Sequence, residues 1–465
     1  MSRPKYLEYK DSEIEWLGDL PSHWRTIPLK RVASCNDSVL SEKTPENTLI
    51  EYVEISDVDS VLGITGSTAH PFSEAPSRAR RRVRDQDVLV STVRTYLKAI
   101  TPVRNPPPNM VVSTGFAVIR PDFNHLTGGF LGYLFRSEWI ISEIIARSVG
   151  VSYPAINASD IMQLSVPIPQ QQEQVVISCF LDHETAKIDA LIHEQQRLIE
   201  LLQEKRQAVI SHAVTKGLDP TVAMKDSGVE WLGEVPAHWV TGKLRWYATN
   251  QGGIAKGKDY ANQATVTLPY LRVANVQAGY VNLNEVKEIS VLEDEVKRYS
   301  LKPGDVLMNE GGDNDKLGRG TVWQGQISPC LHQNHVFAIR TNQNLLPEWL
   351  ATFTQSQRAR AYFFLNSKQS TNLASISSSN VMNCDVPIPP REEQQKTLQL
   401  IAAKSAQVNQ LIDEAAKTVG LLGERRSALI SAAVTGKIDV RNWQPPADES
   451  AFDEAEKQAG METTA

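Results

Sequence analysis

The same framework occurs twice in this sequence, and that duplication is the strongest constraint on its fold. Residues 11–24 read DSEIEWLGDLPSHW, and residues 226–239 read DSGVEWLGEVPAHW. Two further motifs also recur in order: VPIP (166–169 and 386–389), and EKRQAVISHAVT (204–215), which returns as ERRSALISAAVT (424–435). Between these anchors the similarity weakens. Because the ends match and the middles diverge, we expect the constant parts to share a structural role and the variable parts to do two different jobs.

Each variable stretch predicts a mixed α/β domain. Short segments rich in Val, Ile, Tyr and Thr alternate with turn residues, as in LIEYVEISDV (49–58) and DVLVSTV (87–93), a pattern typical of strands and turns. A helical patch follows in each copy, at 128–148 and at 347–367. Each stretch is roughly 140 residues long, an ordinary size for a domain.

The segment after each VPIP predicts a long helix. No Gly or Pro interrupts residues 173–215, a helix of about 65 Å at 1.5 Å per residue. A helix of that length needs a lengthwise partner, and the other copy supplies one. The expected apolar stripe is Ile188, Leu191, Ile192, Leu198, Leu202 and Val209 in the first copy and Val408, Leu411, Ala415, Leu422 and Leu429 in the second. Gln195, Lys205 and Arg425 fall on the seam, and Gly420 and Gly423 weaken the second helix. These features predict a short, irregular antiparallel coiled coil.

The predicted fold class is therefore α+β, with two mixed α/β domains separated by two long antiparallel helices and an internal pseudo-two-fold repeat. The expected boundaries are 1–165 for the first domain with its Trp-rich segment, 166–220 for the first spacer helix, 221–385 for the second domain, 386–440 for the second helix and 441–465 for an acidic disordered tail. The paired tryptophans Trp16, Trp24, Trp231 and Trp239 are expected to pack each domain against a helix end.

Charge and cysteine usage narrow the class of protein only slightly. The net charge is −6, but residues 448–465 carry six acids and one lysine, while residues 25–165 and 240–385 carry +1 and +3. Bulk charge therefore neither supports nor excludes a nucleic-acid partner. The four cysteines are scattered, as expected of reduced thiols in a cytosolic protein. There is no apolar run long enough to span a membrane and no apolar leader after the N-terminus, so we expect a cytoplasmic protein.

The order of these motifs resembles the specificity subunit of type I restriction–modification systems. The resemblance covers about residues 11 to 440 and rests on the duplicated W-L-G-x-x-P-x-H-W, V-P-I-P-x-x-x-E-Q and R-x-A-[VL]-I-S-x-A-V-T motifs. It implies two target recognition domains, each reading one half of a split DNA site. It also implies two adenine-N6 methyltransferase subunits docked on the helices, and motor–nuclease subunits that join them for cleavage. S-adenosylmethionine, ATP and magnesium are then expected on those partners, with no catalytic residue, metal or cofactor in this chain.

Several polar and aromatic side chains are candidates for contact with double-stranded DNA. In the first domain the arginine cluster at 77–84 is typical of phosphate contacts, with a solvated loop as the alternative. Arginine and lysine can also read guanine, and asparagine can read adenine. The candidates are Arg78, Arg80, Arg81, Arg82, Arg84, Arg94, Tyr96, Lys98 and Tyr153 in the first domain, and Asn314, Lys316, Arg319, Lys368 and Asn372 in the second.

Three motifs suggest chemistry and fail on inspection. GGIAKGKD (252–259) has Asp259 where a phosphate-binding loop needs Ser or Thr. NPPP (105–108) has Pro108 where adenine methyltransferases have an aromatic residue. His332 and His335 have no further ligand nearby in sequence. A stand-alone enzyme is therefore disfavoured, and the main alternative to a DNA-specificity subunit is a coiled-coil scaffold with two protein-binding α/β domains.

Overall fold

The computed structural model describes residues 4–14, 17–257, 260, 263–312, 317–369 and 374–445. They form two compact units. The first contains the chain up to Gln195 and again from Lys417, and the second contains Gln196–Ala416. The predicted acidic tail lies outside the described residues from 446 onward. Among the described residues, no helix is long and apolar enough to span a membrane.

Two of the helices are far longer than the others. The helices are α1 (Gly128–Phe135), α2 (Glu138–Ala146), α3 (Ala158–Met162), α4 (Gln171–Lys216), α5 (Glu293–Tyr299), α6 (Pro347–Phe353), α7 (Gln357–Leu365), α8 (Ser378–Met382) and α9 (Arg391–Val434). The long helices α4 and α9 match the predicted spacers, and α4 exceeds its predicted range by two residues at the start and one at the end. It ends where Gly217 adopts a φ of +76°, a left-handed conformation that stops a helix.

The strands of the first unit form two four-stranded sheets and three two-stranded ribbons. They are β1 (Tyr9–Asp11), β2 (Asp19–Pro21), β3 (Arg25–Pro28), β4 (Ala33–Cys35), β5 (Leu49–Val53), β6 (Val58–Asp59), β7 (Gly63–Ile64), β8 (Thr68–Pro71), β9 (Ala79–Arg82), β10 (Val88–Ser91), β11 (Ile100–Pro102), β12 (Met110–Ser113), β13 (Phe116–Pro121) and β14 (Ser165–Ile168). The larger sheets have the orders β11-β10-β13-β4 and β8-β5-β12-β9; the ribbons are β1-β2, β6-β7 and β14-β3.

The second unit repeats this plan with changes. Its strands are β15 (Met224–Asp226), β16 (Glu234–Pro236), β17 (Val240–Lys243), β18 (Ala248–Gln251), β19 (Thr265–Leu271), β20 (Lys287–Leu292), β21 (Val306–Asn309), β22 (Gly311–Gly312), β23 (Gly320–Val322), β24 (Leu331–His332), β25 (Val336–Thr341), β26 (Lys368–Gln369), β27 (Ala374–Ser375) and β28 (Asp385–Ile388). The sheets have the orders β18-β25-β21-β23, β20-β19-β24 and β22-β27-β26, with ribbons β15-β16 and β17-β28.

In the first unit, α1 and the two larger sheets form three layers. Val88 and Val90 of β10 belong to the core cluster that contains α1. Leu89, between them, belongs to the cluster shared with Val53 and Val112 of the other sheet. Because successive side chains of a strand point to opposite faces, one apolar run in DVLV serves both cores.

The second unit uses the same alternation. Val306 and Met308 of β21 share a core cluster with α6, whereas Leu307 packs with Leu271 and Val336. The predicted mixed α/β domains are thus confirmed, and the matching DVLV and DVLM segments occupy the same place in their domains.

In the first unit, the start of α4 lies beside the end of α9. Asp189 and Arg426 form an ion pair with a nitrogen–oxygen distance of 2.8 Å. The Phe180 ring packs against Trp443, with centroids 5.7 Å apart. The two segments are antiparallel, because the earlier residue Phe180 contacts residue 443 and the later residue Asp189 contacts residue 426. The framework also extends past the predicted end at residue 440, since Trp443 packs in the unit.

In the second unit, the end of α4 lies beside the start of α9. Arg206 donates a hydrogen bond to Asn409. Further along α4, Ile210 and Val214 share a core cluster with Ile401. This segment is antiparallel as well, as expected.

Eight of the eleven residues of the predicted apolar stripe are buried or half-buried, and three are exposed. Leu191, Leu198 and Leu411 are 52%, 42% and 50% exposed. Half-buried Ile192 and Ile412 follow two of them. The buried and half-buried positions of α4 include 188, 192, 195, 199, 202, 206 and 209, a regular heptad spacing, so Leu191 and Leu198 lie one position before the seam.

The charged seam position also differs by one residue. Arg425, predicted at the seam, is exposed. Arg426 is buried instead, at 8% exposure.

Candidate nucleic-acid interface

In the first unit, the strand ends of both large sheets meet at one edge. The amide of Thr92, after β10, donates to Gly115 O at 2.8 Å, and the amide of Thr114 donates to Arg78 O at 2.9 Å. The amide of Ile156 donates to Thr92 O at 2.9 Å, which adds the loop before α3. Residue 78 with segments 92–98, 113–116 and 148–157 forms what we call the first edge.

The 92–98 loop of the first edge has an unusual backbone. Arg94 and Lys98 adopt φ values of +50° and +53°, in the left-handed region that residues with a Cβ rarely occupy. Thr95–Leu97 forms a short 3₁₀ turn between them. The hydroxyls of Thr95 and Ser148 hydrogen-bond at 2.7 Å, which ties the turn to the neighbouring loop.

Four of the predicted DNA-binding residues come together on the loops of this edge, in addition to Arg78. Arg94, Tyr96 and Lys98 are exposed on one loop. The Arg94 guanidinium lies over the Tyr153 ring, 5.0 Å from its centroid. Tyr153 itself is 67% exposed, so the pair presents a cation and an aromatic face to solvent.

The arginine cluster is a strand, where the sequence left open a solvated loop. Ala79–Arg82 forms β9, paired with β12. Arg78, Arg82 and Arg84 are exposed. None of these three forms an ion pair with any residue in the described ranges. They are the members of the cluster best placed to contact phosphates.

The other two arginines of the cluster are partly occupied by the fold. Arg80 stacks over Phe72 at 4.9 Å and donates to Ala79 O at 3.0 Å. Arg81 is half-buried beside Cys35, and burial lowers the pKa of its guanidinium. Burial also raises the pKa of the Cys35 thiol to about 11. Because successive side chains of a strand point to opposite faces, Arg81 turns inward while its neighbour Arg82 is exposed.

The second unit has a corresponding edge with different chemistry. The amide of Ile376 donates to Glu310 O at 2.8 Å, as Ile156 does to Thr92 in the first unit. The Glu310 carboxylate pairs with His335. We call 309–312, 317–320, 335 and 366–376, where described, the second edge.

Only part of the predicted second site can be placed. Arg319 donates from Nη1 to Gln277 Oε1 at 3.1 Å. Lys368 is exposed on β26. Asn314, Lys316 and Asn372 lie outside the described residues.

Sequence reasoning missed the apolar part of the first edge. Leu97, Val149 and Val151 are 52%, 81% and 102% exposed. Apolar residues in a sequence are normally assigned to a core, so polarity alone does not identify them as surface residues. The signal for them was an apolar residue flanked by Gly, Ser and Tyr in SVGVSY, within a loop already suspected of binding.

Behind the first edge, the duplicated motifs meet at the start of α4. The Glu173 carboxylate accepts hydrogen bonds from Trp24 Nε1 at 3.1 Å and Tyr6 Oη at 2.7 Å, and lies 2.9 Å from His23 Nε2. Burial and the Glu173 contact raise the pKa of Tyr6. Arg441 lies over the Tyr6 ring at 4.9 Å.

The second unit repeats this arrangement. The Glu393 carboxylate accepts from Trp239 Nε1 at 3.0 Å and lies 2.8 Å from His238 Nε2. Trp24 and Trp239 are both completely buried. The expected packing of these two tryptophans at a helix end is what the structure contains. Trp231 instead packs beside Tyr362, with centroids 5.0 Å apart, and Trp16 lies outside the described residues.

The glutamine after each of these glutamates has its own repeated role. Gln174 Nε2 donates to His125 O and Pro169 O, and its Oε1 accepts from the Thr127 amide. Gln394 makes the same three kinds of contact in the second unit. The E-Q pair therefore joins each domain to its following helix.

A buried ion pair is the other duplicated contact, and sequence reasoning missed it. Asp87 is 1% exposed and receives two hydrogen bonds from Arg120, at 2.9 and 2.7 Å. Asp305, also 1% exposed, receives two from Arg340 at 2.7 and 3.1 Å. The hydrogen bonds to Asp87 are the main cause of the raised pKa of Arg120.

The two histidines of the possible metal motif do not assemble into a metal site with other described residues. His332 is buried, with Nδ1 2.7 Å from Val336 O, while His335 pairs with Glu310. No cluster of three or more potential metal ligands occurs among the described residues. Lys258 and Asp259 of the phosphate-loop-like segment lie outside them.

Comparisons with known proteins point to one family. Residues 84–202 match the model described as the type I restriction modification DNA specificity domain. The EcoKI specificity subunit of Escherichia coli K12 is 23% identical over 332 residues, covering 70% of this chain and 68% of that protein. The putative MjaX specificity subunit of Methanocaldococcus jannaschii is 22% identical, covering 93% of this chain and 97% of that protein.

The fold agrees with a solved structure. A chain from a study of the assembly and conformational transition of the type I R-M system superposes with a TM-score of 0.69. It is 22% identical, and the match covers 89% of this chain and 98% of that one.

The chain is thus a tandem-domain protein. Its repeated segments form the long helices and the contacts at their starts, and its two α/β domains differ in their exposed edges. With the family model over residues 84–202 and the relatives above, the chain is similar along most of its length to specificity subunits of type I restriction–modification systems.

Proposed function

We propose that this chain is the DNA-recognition subunit of a type I restriction–modification complex, each domain reading one half of an asymmetric bipartite site. The observation that carries the proposal is the contrast within each unit. The duplicated Trp and Gln side chains at the helix starts are buried and hydrogen-bonded in the same way in both units, whereas the exposed edges differ.

The first edge has the chemistry that duplex DNA requires. Arg78, Arg94 and Lys98 are exposed and have no carboxylate partner in the described part of the chain. Such cations bind phosphates and release condensed counterions. The adjacent β9 adds Arg82, and Arg84 follows two residues later.

The second edge supports a different half-site. Its exposed Lys368 and its Arg319–Gln277 pair are accompanied by the Glu310 carboxylate. A carboxylate repels phosphate but accepts a hydrogen bond from the cytosine amino group. Two edges with different charge and hydrogen-bonding groups should not select the same bases.

Methyltransferase subunits are the partners proposed for the exposed faces of the long helices. Leu191, Leu198 and Leu201 on α4 are exposed, as are Leu400, Leu411 and Leu421 on α9. Leucines that leave the seam of a helix pair offer an apolar surface for a further subunit. S-adenosylmethionine, and ATP with magnesium for the motor–nuclease subunits, would be bound by those partners.

The long helices would also set the gap between the half-sites. Removing four residues, about one helical turn, from the middle of α4 together with the facing turn of α9 should change the gap and leave both half-site sequences intact. A change in half-site sequence would contradict the spacer role.

The direct test is methylation by a reconstituted complex. The chain is mixed with its methyltransferase subunit and S-adenosylmethionine, and methylated adenines are mapped on a mixed-sequence DNA library. We expect methylation at one bipartite motif with unlike halves. Methylation without site preference would refute the proposal.

A salt series separates this function from a protein-binding scaffold. Affinity of the complex for its site should fall steeply with salt, because each phosphate contact contributes about −0.9 to the slope of log K against log salt. No binding, or binding indifferent to salt, would favour the scaffold.

A further inference from the structure

We propose that Tyr96 and Leu97 form an apolar wedge that enters between two adjacent base pairs of the first half-site and separates them. The proposal rests on DNA recognition by the first domain. It adds that this domain reads how easily the duplex deforms, in addition to the bases that it contacts.

The two wedge residues are adjacent and held in solvent. Tyr96 is 51% exposed and Leu97 is 52% exposed. Neighbouring residues of the same loop are buried: Thr95 is 3% exposed and Ala99 is 4% exposed. The fold therefore buries the base of the loop and displays its tip, as expected of a contact surface.

The tip is rigid before any DNA arrives. Arg94 and Lys98 bound the tip, each with a left-handed backbone, a conformation that persists only where surrounding contacts enforce it. Thr95 supplies those contacts. Its amide donates to Pro154 O at 3.4 Å, its hydroxyl bonds Ser148, and its carbonyl accepts from the Lys98 amide at 3.0 Å. A preorganised tip loses little conformational entropy when it inserts.

Charge identifies the occupant as nucleic acid. The wedge has an exposed cation on each side, Arg94 and Lys98, so its apolar tip lies between two groups that attract phosphate. The Tyr153 ring supports Arg94 from behind, 5.0 Å from its guanidinium. Apolar side chains flanked by cations are the device with which DNA-bending proteins unstack a base step.

The wedge predicts a specificity that hydrogen bonds do not provide. Pyrimidine–purine steps such as TA and CA/TG unstack most easily. The first half-site, or the base pairs directly beside it, should therefore contain such a step. Exchanging it for a stiff step should weaken binding even where no base edge is contacted.

The experiment uses the complex of the full chain with its methyltransferase subunit, without S-adenosylmethionine. Duplexes containing the methylated site carry 2-aminopurine at successive positions of the first half-site and its flanks, omitting the adenine that becomes methylated. We expect fluorescence to rise severalfold at one step. In the double variant Tyr96→Ala, Leu97→Ala that rise should disappear and binding should weaken about tenfold, the effect of losing part of the energy that unstacks a step.

A mismatched duplex and a control variant test the mechanism. A mismatch at the responsive step should tighten binding by the unmodified chain about tenfold and leave the double variant unchanged, because only the wedge benefits from a step already opened. Leu62→Ala removes an apolar side chain that is 78% exposed, outside the first edge. It should keep both the fluorescence signal and the affinity.

The outcomes distinguish this inference from the function beneath it. Selective binding with unchanged fluorescence at every position would overturn the wedge and leave DNA recognition in place. A fluorescence rise that survives in the double variant would also overturn the wedge. Absence of selective binding would overturn the proposed function itself.

Discussion

The first and second edges occupy the same position in their units and differ in almost everything exposed there. Thr92 and Glu310 make equivalent backbone contacts, to Ile156 and Ile376. The first edge continues into a loop with two cations and an apolar tip, whereas Glu310 places a carboxylate on the second. Behind the edges, Glu173 and Glu393 receive the same Trp and His side chains. The two units therefore share their buried contacts at the helix starts and differ in the side chains exposed on their edges.

The largest expected effect is on stability, and it tests whether the repeated Trp contacts contribute equally in the two units. Trp24→Ala and Trp239→Ala each remove a completely buried indole and leave a cavity. Each should lower the free energy of unfolding of its own unit by about 3–5 kcal/mol. Urea unfolding measures the loss, and hydrogen exchange locates it. A large loss from one substitution and none from the other would show that the frame is shared only in sequence.

The buried ion pairs should respond unequally. Asp305→Asn leaves Arg340 with no carboxylate among the residues that the structure describes, and should cost about 3 kcal/mol. Asp87→Asn should cost less, because Arg120 also pairs with Asp37. Urea unfolding of the two variants compares them. Equal losses of unfolding free energy in the two variants would mean that Asp37 does not compensate the charge of Arg120.

The cations of the first edge should affect only one half-site. Arg94→Gln should weaken DNA binding by the assembled complex about tenfold and lower the salt slope by about one, as expected for a lost phosphate contact. Lys30→Ala removes an exposed cation elsewhere in the same domain and is the matched control. Binding is measured on sites with either half randomised. Relaxed selectivity at the second half after the Arg94 change would contradict the assignment of edges to halves.

The smallest effect is a difference in acid sensitivity between the domains. His332 lies beside Leu271 where Val112 lies beside Val53 in the first unit. Burial lowers the pKa of His332. Below pH about 6.5, the unfolded chain binds a proton that the folded chain resists, so stability present above that pH is lost as pH falls.

At pH 5.5 the free energy of unfolding of the second domain should therefore be lower than at pH 7.5. Hydrogen exchange at pH 7.5 and 5.5 should show it in β19 and β24 and not in β5 and β12. His332→Val, which installs the first unit's residue, should abolish the difference. If the difference remains in that variant, His332 is not its source.

Much of the fold could be predicted because each structural motif occurs twice, so a pattern found in one copy could be checked in the other. The long helices, the α/β domains and the buried Trp24 and Trp239 all followed from motifs present twice. The exact seam did not follow, because Leu191 and Leu411 each precede an isoleucine, and apolar character alone does not tell which of two adjacent residues faces the partner helix. The ion pair of Asp87 with Arg120 joins residues 33 positions apart, and no local pattern reveals such a contact.

The candidate site was predictable only as a region. Arg94, Tyr96, Lys98 and Tyr153 were chosen from two loops that the structure brings together. Leu97 and Val151 were not, since apolar residues are normally assigned to a core. The inward turn of Arg81 depends on strand pairing with β12, which the run of arginines alone does not specify.

The central claim is that the long helices and their repeated motifs support two interchangeable DNA-recognition domains. The measurement is the methylome of cells that carry the methyltransferase and a chain in which residues 25–165 replace 240–385. Because the helices pair antiparallel, two copies of the first domain should read the first half-site twice, as an inverted repeat. Methylation at a symmetric motif made of that half-site is the predicted result. Methylation at the original asymmetric motif, or at a motif with two unlike halves, would contradict the account.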